Sequence, residues 1–176
     1  MTTFKKTIEA IKGDLPEKGL KSFVKNYFLN PGFRVLLNYR IGKYFFSSQF
    51  FLLRQIGNYY RKNLIIKRGC DISYYAKIGR GVVFPHAMGI VIGEGVVIGN
   101  RVKIWQQVTF GSHGKENEEL KYPVIADNVK VFAGAKIIGG VKIEANAIIG
   151  ANAVVNIDVP VKSIAVGIPC KILSGK

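Results

Sequence analysis

This 176-residue chain has only two histidines, and both fall at irregular points of an otherwise regular sequence. His86 stands in the segment FPHAMGIV, residues 84–91, and His113 in the polar stretch 111–124. An imidazole titrates near neutrality, so either could serve as a general base that takes a proton from a hydroxyl. A histidine filling a structural distortion, or one solvated on a loop, gives the same pattern. Cys70 and Cys170 are 100 residues apart and lack CxxC or Cys/His ligand spacing, so we read both as reduced thiols. With two histidines there is no three-histidine zinc set, and no metal is expected.

The elements that must position these residues follow from a repeat of six that begins at Asp71. Large apolar residues recur at Ile72, Ile78 and Phe84, then after a two-residue slip at Ile92, Ile98, Ile104 and Phe110. They resume at Ile125, Val131, Ile137, Ile143, Ile149 and Val155. Four positions after most of them stand small or aliphatic residues: Ala76, Ala135, Ala147 and Ala153, or Val96, Val102, Val108, Val129, Val141 and Val159. One inward aliphatic and one small bend residue per unit describe a short strand and a corner. Three such units close a triangular coil of about 18 residues that stacks on the next at about the 4.8 Å spacing of paired strands. A β-sandwich would show period two and irregular spacing instead. The reading is mainly β, a parallel β-helix over residues 66–176, with Gly79, Gly93, Gly99 and Gly150 at crowded corners and 111–124 leaving the prism as an extended loop. His86 falls at the slip, where a distorted coil could expose a side chain.

Residues 1–65 carry no such repeat. They show amphipathic helical runs at Phe4–Ile11, Gly19–Leu29 and Phe50–Leu64, and one from Pro31 with Asn30 as N-cap and proline at the first helical position. The net charge of +15 is uneven: residues 1–70 hold 14 Lys/Arg against 3 Asp/Glu, and 71–176 hold 12 against 8. Eight of the 11 phenylalanines lie in this arm, so it is basic and aromatic together and needs a partner surface. No apolar run reaches the roughly 18–20 residues that span a bilayer, the best, Tyr44–Leu53, being broken by Ser47, Ser48 and Gln49. Residues 1–12 lack a secretory signal's apolar core, which predicts a cytoplasmic protein.

The segments Asp71–Gly81 (DISYYAKIGRG), His86–Glu94 (HAMGIVIGE), Gln107–Gly111 (QVTFG) and Gly167–Lys171 (GIPCK) resemble the serine O-acetyltransferase branch of the hexapeptide-repeat acyltransferases over about residues 30–175. The resemblance implies a left-handed β-helix and direct acetyl transfer from acetyl-CoA to a hydroxyl, with His86 as base and Asp71 paired to it. A carboxylate on one imidazole nitrogen sets the tautomer and stabilises the imidazolium; a capping role for Asp71 at the first coil is the alternative. The resemblance also implies a homotrimer, or a dimer of trimers, with acetyl-CoA along the groove between subunits. The matching contact positions are Gly111, Ser112, Ala133, Gly150 and Ala151, with Lys136 and Lys171 able to meet the CoA phosphates. Small corner residues and solvated lysines are the alternatives for these positions.

The chain departs from that family where serine is recognised. There an aspartate precedes the catalytic histidine and an Arg-His pair precedes a proline; the positions here are Pro85, Lys121 and Tyr122. Losing that carboxylate and guanidinium removes both ends of an amino-acid clamp. L-serine is therefore the alternative acceptor; resemblance to the short-armed members of this branch implies instead a sugar hydroxyl of capsule, exopolysaccharide or O-antigen synthesis, with His113 as an auxiliary contact. A non-catalytic β-helix scaffold is the alternative of another class. The basic aromatic arm suggests peripheral contact with the inner face of an anionic membrane, or packing on its own β-helix or between trimers. Nucleic acid is not expected, because no recognised binding motif accompanies the charge.

Overall fold

The computed structural model describes residues 3–114 and 119–173. Among these described residues four helices come first: α1 (Phe4–Gly13), α2 (Leu20–Leu29), α3 (Pro31–Phe46) and α4 (Phe51–Arg68). Fourteen short strands follow: β1 (Asp71–Ile72), β2 (Lys77–Ile78), β3 (Val91–Ile92), β4 (Val97–Ile98), β5 (Lys103–Ile104), β6 (Thr109–Gly111), β7 (Val124–Ile125), β8 (Lys130–Val131), β9 (Lys136–Ile138), β10 (Lys142–Ile143), β11 (Ile148–Ile149), β12 (Val154–Val155), β13 (Ile164–Val166) and β14 (Lys171–Leu173). Strands of successive coils stack in parallel on three faces, with β14 added antiparallel at the end. The first face is β1-β3-β6-β9-β12, the second β2-β4-β7-β10 and the third β5-β8-β11-β13-β14, which together form a left-handed β-helix.

The predicted inward residues occupy the prism axis. Ile72, Ile92, Phe110, Ile137 and Val155 form one column, Ile78, Ile98, Ile125 and Ile143 the second, and Ile104, Val131 and Ile149 most of the third, all at most 8% exposed. Fully burying one such side chain is worth about 1.5–3 kcal/mol. Ala76, Ala135, Ala147 and Ala153 are wholly buried at the bends. Crowding accounts for the corner glycines: a Cβ on Gly99 would meet Asp127 Oδ1 at 2.5 Å.

Val159 departs from the expected pattern. It bridges to Ile143, a spacing of 16, so it fills the second column instead of a bend. The last coil is two residues short, and Ala165, not a large aliphatic, ends the third column beside Ile149. The chain then turns back as β14, the one antiparallel strand among the described residues, against β13.

The helical arm begins as expected, but its last helix continues past Leu64 to Arg68 and stops at Gly69, whose φ of 60° is the left-handed C-cap geometry. Asn30 Oδ1 accepts from Phe33 N at 3.0 Å, capping α3. Leu36, Tyr39 and Leu64 join the β-helix core, which seats α3 and α4 on the first coil. Tyr39 donates its hydroxyl to Ala76 O at 2.7 Å, and Arg40 Nη1 donates to Ile78 O at 2.7 Å. Arg40 also pairs with Asp14 at 3.0 Å, tying the end of α1 to the same coil. α2 keeps Leu20, Phe28 and Leu29 exposed, as does the α3–α4 tip with Phe50, Phe51 and Leu52. No helix among the described residues is long and apolar enough to cross a membrane.

Candidate active site

The slip in the repeat lies in the first coil. Asp71 pairs with Val91, twenty residues on, whereas Val91 pairs with Thr109, eighteen on. The extra length widens the corner between the third and first faces at residues 84–90. Phe84 and Ile90 hold its ends in the core, and Pro85 and His86 are exposed between them. Met88 N donates to His86 O at 3.0 Å, and Gly89, with φ 63°, completes the turn. Gly89 N donates to Gly69 O at 2.7 Å and Asp71 N to Ile90 O at 2.9 Å. His86 and Asp71 therefore lie at the same corner on adjacent coils.

Their side chains are not joined. The Asp71 carboxylate accepts from Arg61 Nη2 of α4 at 3.4 Å, and among the described residues no hydrogen bond links it to His86. Both partners of that ion pair are nearly half exposed, 43% and 47%, so it adds little to stability and costs little to exchange for a bond to an imidazole. Sequence reasoning missed Arg61, because nothing in an amphipathic helix pattern tells which basic residue will face the β-helix.

Above His86 the same corner is repeated by three further coils. Gln107 N donates to Met88 O at 2.8 Å, Gly134 N to Gln106 O at 2.9 Å and Asn152 N to Ala133 O at 2.9 Å. Ala133 and Ala151 thus continue the column of Met88 and Gln106, two residues on from His86, and end it in two methyl groups. Lys136, the first residue of β9, donates to Gln107 O at 2.6 Å beside it. Gly150 lies one residue before Ala151, over Phe132, and its lack of a side chain is already required by the chain itself: a Cβ would meet Val166 Cγ1 at 2.8 Å. Trp105 and Phe132, on successive coils at this corner, stack at 4.5 Å and 20°. The sequence reading passed over this pair, although the hexad spacing places both immediately after inward residues.

The remaining predicted residues, Lys171 apart, gather at another corner, between the first and second faces. Gly111 ends β6 and accepts from Gly139 N at 2.9 Å, and Ser112 and His113 follow, half-buried. A Cβ on Gly111 would meet only Ile138 Cδ1, at 3.8 Å, so this glycine has open space before it. The expected loop 111–124 inserts nine residues relative to an 18-residue coil, since Phe110 pairs with Ile137; its residues Lys115, Glu116, Asn117 and Glu118 lie outside those described. Tyr122 returns over the prism with its ring on Gly93 and Gly95, where a Cβ on Gly95 would meet Tyr122 Cγ at 2.7 Å. Lys121 lays its stem on Gly140. Lys171 stands exposed on β14, in the terminal hairpin. One protomer therefore separates the His86 corner from the Gly111–Tyr122 corner.

A parallel β-helix with an exposed histidine at a widened corner, beside a column of small residues, is the architecture of a hexapeptide transferase. The model of that family, "Bacterial transferase hexapeptide (six repeats)", matches residues 122–156. The serine acetyltransferase of Haemophilus influenzae is 39% identical over 143 residues, covering 81% of this chain and 52% of that protein. Among solved structures, soybean serine acetyltransferase complexed with serine superposes with a TM-score of 0.82 at 33% identity, covering 95% of this chain and 69% of that one. A serine acetyltransferase in complex with CoA gives 0.81 at 31%, covering 97% and 71%. The chain belongs to the hexapeptide-repeat transferase family, among the relatives of the serine acetyltransferases. It spans about half the length of the Haemophilus protein.

Proposed function

We propose that this chain is an acetyl-CoA-dependent O-acetyltransferase whose acceptor is the hydroxyl of L-serine. The observation that carries the reading is the exposed His86 at the widened corner, in a chain whose relatives are serine acetyltransferases. His86 takes the hydroxyl proton as the oxygen attacks the thioester carbonyl. The carbon–sulfur bond then breaks, and the proton passes from the imidazolium to the departing thiolate. Asp71, released from Arg61, holds the other imidazole nitrogen. The Ala133–Ala151 column suits an extended pantetheine arm, because its methyl groups let the arm approach the backbone closely.

The acceptor differs from the sugar that the altered clamp led us to expect, because the relatives are serine acetyltransferases, one of them solved with serine. One observation keeps the sugar as a second reading: Pro85 supplies no carboxylate, and Tyr122 and Lys121 lie packed over glycines of the prism. Mass spectrometry of reactions containing L-serine or a panel of nucleotide- and lipid-linked sugars separates the two. O-acetylserine supports the first reading, and an O-acetylated sugar with unmodified serine replaces it with the second.

The active unit is a homotrimer, alone or as a dimer of trimers, in which one subunit's His86 corner meets another's Gly111–Tyr122 corner. The separation of these two groups within one protomer supports this. Light scattering giving a solution mass of one 19.5 kDa chain would remove it. Contact of the arm with an anionic inner leaflet is supported by its charge and by exposed Phe50, Phe51 and Leu52. Serine at all three positions should abolish co-sedimentation with phosphatidylserine vesicles if that contact exists. Removing the whole arm is not a clean test, since Leu36, Tyr39 and Leu64 belong to the core.

A further inference from the structure

On the opposite side of the first coil from His86, α1, α3 and β2 line an open cavity of about 220 Å³. Lys6, Arg40, Lys43 and Lys77 all line it, together with Thr7 and Tyr39, and no carboxylate does. Arg40 is already matched, by Asp14 behind it and by the carbonyls of Ile78 and Gly79. Lys6, Lys43 and Lys77 are not: none has a salt bridge among the described residues. Lys43 is the least solvated of the three. Its Nζ donates to Ala76 O and to Tyr39 Oη, which leaves one of three ammonium donors unused. Burial, then the charges of Arg40 and Lys77, push Lys43 down to about 8. Gathering like charges around a half-buried ammonium opposes folding unless an anion enters and turns the repulsion into attraction.

We propose that this cavity is an anion site, in which Lys6, Lys43 and Lys77 hold a phosphate or diphosphate group and so clamp α1 onto α3 and the first coil. The ligand chemistry is a compact phosphate, free or presented as a lipid phosphomonoester. The site lies on the second face, away from the His86 corner, so it does not depend on the acetyltransferase reading.

Titration calorimetry with inorganic phosphate and pyrophosphate, at fixed ionic strength, tests it on the full chain. Vesicles of phosphatidylcholine with and without phosphatidic acid form the second arm. Lys43→Met and Lys77→Gln are compared with Lys130→Gln, an exposed lysine of β8 on the third face, and melting temperatures confirm that each variant is folded. Saturable one-to-one binding of pyrophosphate or phosphate, weakened at least about tenfold by either cavity substitution and unchanged by Lys130→Gln, supports a free anion. Binding confined to phosphatidic acid vesicles with the same variant pattern supports the headgroup as source. No saturable binding in either arm, or equal loss in all three variants, overturns the site.

Discussion

Replacing Gly32 by alanine tests whether the arm positions the candidate base. Gly32 sits in the first turn of α3, directly against the Phe84 carbonyl, two residues before His86. A Cβ there would fall on the Phe84 oxygen, 3.0 Å from its carbonyl carbon and 3.2 Å from its Cβ. Ordinary contact between such atoms needs about 3.5–4.0 Å, so helix or loop must yield by roughly 1 Å. Overpacking of this kind costs about 1–3 kcal/mol, and the gain in helix propensity from glycine to alanine returns at most about 1 kcal/mol. The net loss is about 1–2 kcal/mol, or roughly 2–8 °C in Tm for a chain of this size. A displacement of about 1 Å at His86 lowers kcat on the order of a hundredfold. Scanning calorimetry and a free-thiol assay with acetyl-CoA read the two effects on the same preparation. Unchanged Tm and unchanged kcat would show that α3 does not bear on the His86 loop.

Gly111→Ala should fold as the wild type, because nothing stands closer than 3.8 Å to the new Cβ, yet raise KM for acetyl-CoA if the cofactor passes there; initial rates against acetyl-CoA concentration decide it. Asp71→Asn should leave stability within about 1 kcal/mol of the wild type, since its one ion pair among the described residues is exposed, and lower kcat at least about tenfold. A kcat unchanged in that variant would make Asp71 a capping residue. Lys43 has a folded pKa of about 8 against an ordinary 10.5, with Arg40, Lys77 and Lys6 around it. Between those values the unfolded chain binds more protons, so stability rises with pH across that window and is lost as pH falls through 8. Tm measured from pH 7 to 10.5 should show that rise in the wild type and a flatter profile in Lys43→Met.

The β-helix was legible in the sequence because each inward position is set by a local rule, one aliphatic per hexad, and register follows from counting. Where the count changes, counting alone could not say how. The two extra residues near Phe84 widened a corner, as expected, but the two missing before Ala165 moved Val159 from a bend into a column. The α3 cap was legible for the same reason, Asn30 and Pro31 being a local signal. What the sequence could not convey was contact between distant elements. Arg61 facing Asp71, Tyr122 lying on Gly95 and three lysines from α1, α3 and β2 sharing one cavity each depend on how the arm docks, which no periodicity encodes. His86 was legible as a histidine at a break in the repeat, where a distorted coil could expose a side chain, and it is exposed there.

The most direct measurement is thiol release from acetyl-CoA in the presence of L-serine, by wild type and His86→Ala. The account predicts serine-dependent release that falls at least about a hundredfold in the variant, with Tm unchanged because His86 is exposed. Release that survives the substitution, or no serine-dependent release by folded wild type, would contradict it.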